Sequence, residues 1–365
     1  MTSSLSTLFL FLLTGYFISL GGLHLLGLYP PIPWIFIVYV LLLMPFAFVL
    51  SELGRLNIAF LPKHLLFRVL GGFLLGVVLV NTHRQPQIWV SLGLVLSLLQ
   101  FRQWPLSGIK LFVISATTLV VGEALVWNLN YLLGFFVSHR LYDSLLLEID
   151  RILYSWVFTQ DLAVEGMFPL VRNVKAVALL ENAYLMLFPE ILLLLFLTAR
   201  ESSARVCDYL LRLFITYFIA MLSFAIVPAV GPPIFMPTTM SEAFRETLTF
   251  ALMQQLTDEY NRLQAGLPQS GFGYFIALPS LHVSIATLGQ ILLKPYPTLF
   301  WTFFPINVLL ILSTVLLGWH YFLDLPTGLL LPVLVDRVLR VWPVISKKIK
   351  FVFRLEGNCS PPLKD

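Results

Sequence analysis

Of the 365 residues in this chain, 58% are hydrophobic and only 12% charged. With a mean hydropathy of +0.88, this is far from the soluble average of about a quarter charged residues. That balance excludes a soluble globular enzyme, and a net charge of +4 gives no footprint for nucleic acid. The chain reads as a polytopic membrane protein.

Apolar runs of spanning or near-spanning length recur at 7–28, 32–50, 65–81, 87–101, 110–137, 174–198, 206–229, 277–294, 297–317 and 320–341. They predict an all-α membrane bundle of about ten transmembrane helices. The first run lacks a basic leading region and a small-residue cleavage site, so it reads as a retained helix rather than a signal peptide. After the fifth run, His139 to Gly166 places leucines and acids at helical spacing (Tyr142, Asp143, Leu146, Glu148, Asp150). This segment is amphipathic and is expected to lie in the membrane interface or re-enter it. The loop from Pro228 to Phe275 opens with Pro228-Ala229-Val230-Gly231-Pro232-Pro233, whose Pro and Gly residues end the seventh helix. A basic tail with Lys347, Lys348, Lys350 and Arg354 closes the chain.

The charges are distributed unequally. Walking the ten segments from a cytoplasmic N-terminus puts sixteen of the 23 Lys and Arg residues on one side and seven on the other. This is a positive-inside pattern with both termini cytoplasmic. Cys207 and Cys359 both fall on the cytoplasmic side, which indicates no disulfide framework.

The chemistry concentrates near the C-terminal end. His282 lies in Ala277-Leu278-Pro279-Ser280-Leu281-His282, and His320 in Gly318-Trp319-His320-Tyr321-Phe322-Leu323-Asp324. Their 38-residue separation is roughly 57 Å of helix, about two crossings of a hydrocarbon core, so both are expected at one face, the extracytoplasmic one. Pro279 and Ser280 start a spanning helix whose first N–H groups lack partners. Those donors and the Ser280 hydroxyl form a natural phosphate cradle, with His282 on the first turn placed to move a proton. A helix cap followed by a structural histidine accounts for the same residues. His320 and Asp324, at i and i+4, are expected on one face of the last helix, where the carboxylate would orient the ring as a nucleophile. A buried structural ion pair is the alternative.

Taken together, His282, His320 and Asp324 could also make a three-ligand metal set, although no His-x-x-x-His or Glu-x-x-His pattern occurs. Ser280 lacks the Gly-x-Ser-x-Gly elbow of a serine hydrolase. Phosphoryl transfer through a phosphohistidine uses every member of the set. Glu123, Glu181, Asn182 and Glu190 lie in or near apolar helices and are expected to pair with one another across helices. His24, His64, His83 and His139 have no companion motif.

Pro279-Ser280-Leu281-His282 and His320-Tyr321-Phe322-Leu323-Asp324 resemble the second and third motifs of the type 2 phosphatidic acid phosphatase superfamily, and more closely its inositol phosphorylceramide synthase branch. Pro228 to Pro232 resembles the first-motif loop of bacterial members. Tyr142-Asp143 through Asp150 resembles the helix leading into their core. The resemblance divides the chain into an N-terminal transmembrane region at 1–138, a catalytic core of six helices at 139–342 and a basic cytoplasmic tail at 343–365.

It implies a lipid phosphatase or phosphotransferase without metal or other cofactor, and the compact loops suggest a prokaryotic inner membrane, bacterial or archaeal. His320 would be the nucleophile, Asp324 its orienting group, and His282 the general acid and base. Ser280 and the Leu281 N–H would hold phosphate oxygens, with a lipid phosphate or phospholipid as donor and water or a lipid alcohol as acceptor. The chain departs from the family pattern where Thr314 replaces the usual third-motif Arg, although Ser313 is kept, and where Pro233 stands in place of a first-motif Arg. The synthase branch also lacks that third-motif Arg. Gly231, Arg172, Lys175, Arg245 and Arg262 are the further candidates for phosphate contact. Loss of the two cations leaves a third expectation open, a lipid-binding or transport scaffold with weakened catalysis.

Overall fold

The computed structural model describes residues 2–26, 106–137, 140–158, 174–236, 247–267 and 273–356. Every regular element among them is a helix. The runs expected at 32–50, 65–81 and 87–101 lie outside the described residues.

The first run forms α1 (Thr2–Leu25) and the fifth forms α2 (Leu106–Val137). They pack on one another, and Asn128 donates to Ser19 Oγ across the contact at 3.1 Å. Next come α3 (Asp143–Phe158), α4 (Val174–Leu185) and α5 (Leu187–Glu201). The run expected as one helix at 174–198 is thus broken at Met186. Pro189 explains the break, because it has no N–H for the Leu185 carbonyl and its ring crowds that carbonyl. The chain continues through α6 (Ser203–Ile226), the single turn α7 (Pro232–Phe235) and α8 (Leu248–Gln264). It ends with α9 (Leu281–Leu292), α10 (Pro297–Leu316) and α11 (Asp324–Glu356).

Four segments, Ile114–Val137, Lys175–Glu201, Ser203–Ile226 and Pro297–Leu316, are long and apolar enough to cross a membrane. The protein is an integral membrane helical bundle.

α3 has three faces. Asp143, Leu146 and Asp150 are buried against the bundle. Leu145 and Ile152, with Tyr142 just ahead of the helix, form an exposed apolar stripe. Glu148 and Arg151 form a solvated ion pair on a third side. A helix lying in an interface, with protein beside it, lipid below and water above, requires that division.

α9 is shorter than the expected 277–294, since its twelve residues rise only about 18 Å. The segment before it is irregular, and its backbone polar groups find partners sideways. Asn130 on α2 donates to the Gly273 carbonyl and accepts from Phe275 N–H, both at 2.9 Å, and Ala277 N–H donates to the Ala229 carbonyl at 2.9 Å. Irregular backbone at membrane depth is stable only when protein satisfies it in this way.

α9 packs against α5, α6, α10 and α11. α6 and α11 are further joined by a buried ion pair between Arg212 and Asp336. α11 meets the start of α9 at Gly328, where an added Cβ would lie 2.8 Å from Val283 Cβ and 2.9 Å from the Ser280 carbonyl oxygen. Backbone cannot yield as a flexible side chain can, so Gly328→Val should cost about 1–3 kcal/mol of overpacking. We expect a clear drop in the thermal midpoint of detergent-solubilised protein. Gly22→Ala, which meets only ordinary contacts at 3.6 and 3.7 Å, should leave the midpoint unchanged or slightly raised.

Candidate active site

His320 does not sit on the last helix. α10 ends at Leu316, and the turn after it is gathered onto one residue, because the Thr314 carbonyl accepts from Trp319 N–H at 2.9 Å and His320 N–H at 3.0 Å. α11 begins only at Asp324, so the expected stacking of two residues along one helical face is corrected. The two residues meet because the chain turns back on itself. Asp324 Oδ2 accepts from Tyr321 N–H at 3.0 Å and lies 3.1 Å from His320 Nδ1. The same Nδ1 is 3.0 Å from the Ala277 carbonyl oxygen. Both partners are acceptors, so Nδ1 carries the proton and Nε2 carries the lone pair. Asp324 is fully buried and His320 nearly so.

His282 occupies the first turn of α9, its ring centroid 6.2 Å from that of His320. Tyr184 stacks on it with centroids 4.0 Å apart, and Trp319 also stacks on Tyr184 at 5.6 Å. The Tyr184 hydroxyl lies 3.3 Å from His282 Nδ1.

Ser280 is the N-cap of α9, accepting from Val283 N–H at 3.4 Å. The cap uses the hydroxyl oxygen as acceptor and leaves its proton to donate elsewhere, so cap and cradle are compatible roles. The Leu281 and His282 amides, at the first two helical positions, have no carbonyl a turn earlier to bond. The 38-residue separation of the two motifs therefore does bring the histidines to one place.

The sequence reading assigned no role to the acids of α3. Asp143, fully buried, accepts from Gly231 N–H at 2.8 Å, from Val230 N–H at 3.0 Å and from the Tyr321 hydroxyl at 2.8 Å. Asp150 accepts from Phe322 N–H at 2.6 Å and Leu323 N–H at 3.2 Å. The available signal was their seven-residue spacing, which puts both carboxylates on the stripe of buried Leu146. Gly231 itself has φ 85°, and a Cβ there would lie 3.0 Å from the Trp319 carbonyl oxygen. Its N–H is given to Asp143, so Gly231 anchors the loop before α7.

Among the other candidates, Arg172 and Arg245 lie outside the described residues, as do His64, His83 and His139. Lys175 is exposed in the first turn of α4, nine residues and about 13 Å of helix rise before Tyr184. Arg262 is half-buried near the end of α8. The Thr314 side chain is fully buried and donates to the Ile311 carbonyl at 2.7 Å, while Ser313 donates to the Leu310 carbonyl at 2.6 Å.

The intramembrane acids pair differently from the expectation. Glu190 accepts from Asn307 Nδ2 at 2.9 Å, Glu123 from the Tyr274 hydroxyl at 3.4 Å, and Glu181 from Thr249 N–H at 2.6 Å. Asn182 donates within its own helix to the Ala178 carbonyl at 2.7 Å. Among the described residues no group of three His, Cys, Asp or Glu side chains is arranged to hold a metal ion.

The fold thus brings two histidines and a carboxylate together where α9 and α11 begin. The family model described as "PAP2 superfamily" matches residues 154–335, a span that contains both histidine motifs. The match supports membership of that superfamily, whose members are phosphatases and phosphotransferases acting on phosphate esters. No curated protein and no solved structure matches the chain.

Burial pushes the Asp150 carboxyl up to about 6 from its ordinary 3.8, against the pull of the Phe322 and Leu323 N–H groups, and the Asp324 charge adds to the rise. A raised pKa means that the folded protein binds this proton more readily than the unfolded chain does. The resulting stability is fully present below about 3.8 and is lost as pH rises through about 6. The stability of wild type relative to Asp150→Asn should therefore increase as pH falls from 7 to 5. Thermal unfolding of both proteins at the two pH values measures this, and parallel curves would refute it.

Proposed function

We propose that the protein is a lipid phosphotransferase acting through a phosphohistidine, without a metal, at the extracytoplasmic face of the membrane. The observation that carries this reading is the fork at His320, whose Nδ1–H is committed to Ala277 and Asp324, so that Nε2 is the nucleophilic atom. Nε2 attacks the phosphorus of a lipid phosphate or phosphodiester. As the N–P bond forms, the P–O bond to the leaving group breaks, and His282 gives that oxygen its proton. An acceptor hydroxyl then loses its proton to His282 and attacks phosphorus, releasing His320.

The Ser280 hydroxyl and the Leu281 N–H at the start of α9 hold the phosphate oxygens. Arg172, Lys175, Arg245 and Arg262 are the cations proposed to replace those lost at Thr314 and Pro233. A lipid alcohol as acceptor makes the reaction a transfer of the inositol phosphorylceramide synthase kind, whereas water makes it a phosphatase reaction. The transferase is favoured because Thr314 stands where that branch also lacks the third-motif Arg. Residues 139–342 are the proposed catalytic unit, with 1–138 a separate transmembrane region and 343–365 a cytoplasmic tail.

Purified protein in detergent with EDTA, offered labelled phospholipids with and without a lipid alcohol, should form new phospholipid only when the acceptor is present. His320→Ala should abolish turnover, and His282→Ala should lower it about 10²- to 10⁴-fold. Acid-labile label on wild type that is absent from His320→Ala would identify the intermediate. Release of free phosphate alone would make the protein a phosphatase, complete inhibition by EDTA would overturn the metal-free mechanism, and silence of folded wild type across the panel would favour a scaffold.

A further inference from the structure

α3 supplies no reacting group, yet its buried stripe holds the loop before α7 and the turn that follows His320. The donors around Asp143 come from two places far apart in the chain, Val230 and Gly231 in the loop before α7, and Tyr321 in the turn before α11. Asp150, two turns further along the same stripe, takes the next two amides of the second place, Phe322 and Leu323. Each of these groups donates, so the position requires an acceptor with no N–H of its own, which a carboxylate provides and an amide does not. The turn so held is the one that aims His320, and the loop so held packs Gly231 against the Trp319 carbonyl.

We propose that α3 is the positioning element of the site, with Asp143 and Asp150 fixing the His320 turn against the Gly231 loop. For its catalytic consequence this rests on the reading of His320 as the phosphoryl acceptor; for its structural content it does not. Neither carboxylate reaches the reacting atoms. Because the outer faces of α3 are divided between lipid and water, the clamp also sets the turn at a defined depth relative to the membrane surface.

The pattern of bonds gives a signature that a merely stabilising role would not. Asp143 grips both places, whereas Asp150 grips only the second. Hydrogen exchange read by mass spectrometry on the full chain in lipid nanodiscs should show Asp143→Asn accelerating exchange in both 228–233 and 318–323. Asp150→Asn should accelerate 318–323 alone. Tyr321→Phe, a milder change that removes one bond to Asp143, should also act on 318–323 alone, and keeps the test open if an aspartate variant fails to fold. Glu148→Gln, on the watery side of α3, should change neither segment.

In the transfer assay, Asp143→Asn should lower kcat about 10²-fold, the scale of a misaimed catalytic group, with KM within about twofold. Exchange is measured without substrate, so an inactive wild type would defeat the phosphotransfer reading and leave this pattern to be judged by itself. Unchanged exchange in Asp143→Asn and Tyr321→Phe, acceleration spread evenly through α9 and α10, or opened segments with undiminished kcat in an active enzyme would each overturn the inference.

Discussion

One proton, on Nδ1 of His320, is shared between the Ala277 carbonyl and the Asp324 carboxylate, and a closed circuit of hydrogen bonds runs through it. Ala277 donates its own N–H to Ala229. The next two residues, Val230 and Gly231, donate to Asp143. Asp143 accepts from the Tyr321 hydroxyl, and Tyr321 N–H returns to Asp324. Four regions distant in sequence, at Asp143, 229–231, Ala277 and 320–324, are thereby linked through one ring. A single such bond contributes only about 1 kcal/mol net, but losing one strands a buried polar group at a cost of about 1–3 kcal/mol. In an apolar bundle each bond of the circuit is therefore costly to lose.

That circuit explains features of the fold that look irregular from the standpoint of a membrane helix. The irregular stretch before α9 shortens that helix to about 18 Å, because a helical Ala277 would spend its N–H and carbonyl on the helix ladder and reach neither Ala229 nor His320. α11 starts late for the same reason, since the peptide N–H of Tyr321 and the imidazole of His320 have to turn toward Asp324. Gly328 then allows α11 close enough to α9 for the two halves of the site to meet.

The membrane class and most helices were legible in the sequence because hydropathy and length act locally and are strong in lipid. The convergence of His282 and His320 was legible because two crossings return a chain to the same face. What misled was treating 320–341 and 277–294 as uninterrupted helices: hydropathy reports burial, and buried turns are as apolar as buried helices. The break at Met186 had a local sign in Pro189. The roles of Asp143 and Asp150 were harder to see, since most of their partners are backbone amides some 87 to 173 positions away, and backbone carries no sequence signature. Thr314 was legible as a departure, whereas its use as the carbonyl that gathers the His320 turn was not.

Two helix N-termini converge on the histidines, and their different caps divide the labour. Each helix start carries about half a positive charge and a set of unpaired amides, so each could receive an anion. At α11 the anion is built in, because Asp324 is the first residue of the helix, sits fully buried and is committed to His320 and Tyr321. At α9 the cap is Ser280, which is neutral. An aspartate could cap α9 equally well by the ordinary preferences, but its charge would oppose a phosphate at the Leu281 and His282 amides. A carboxylate at one helix start and a hydroxyl at the other leaves one open to an anion and commits the other to orienting the His320 ring. The asymmetry gives the start of α9 part of the positive field that Thr314 and Pro233 do not supply.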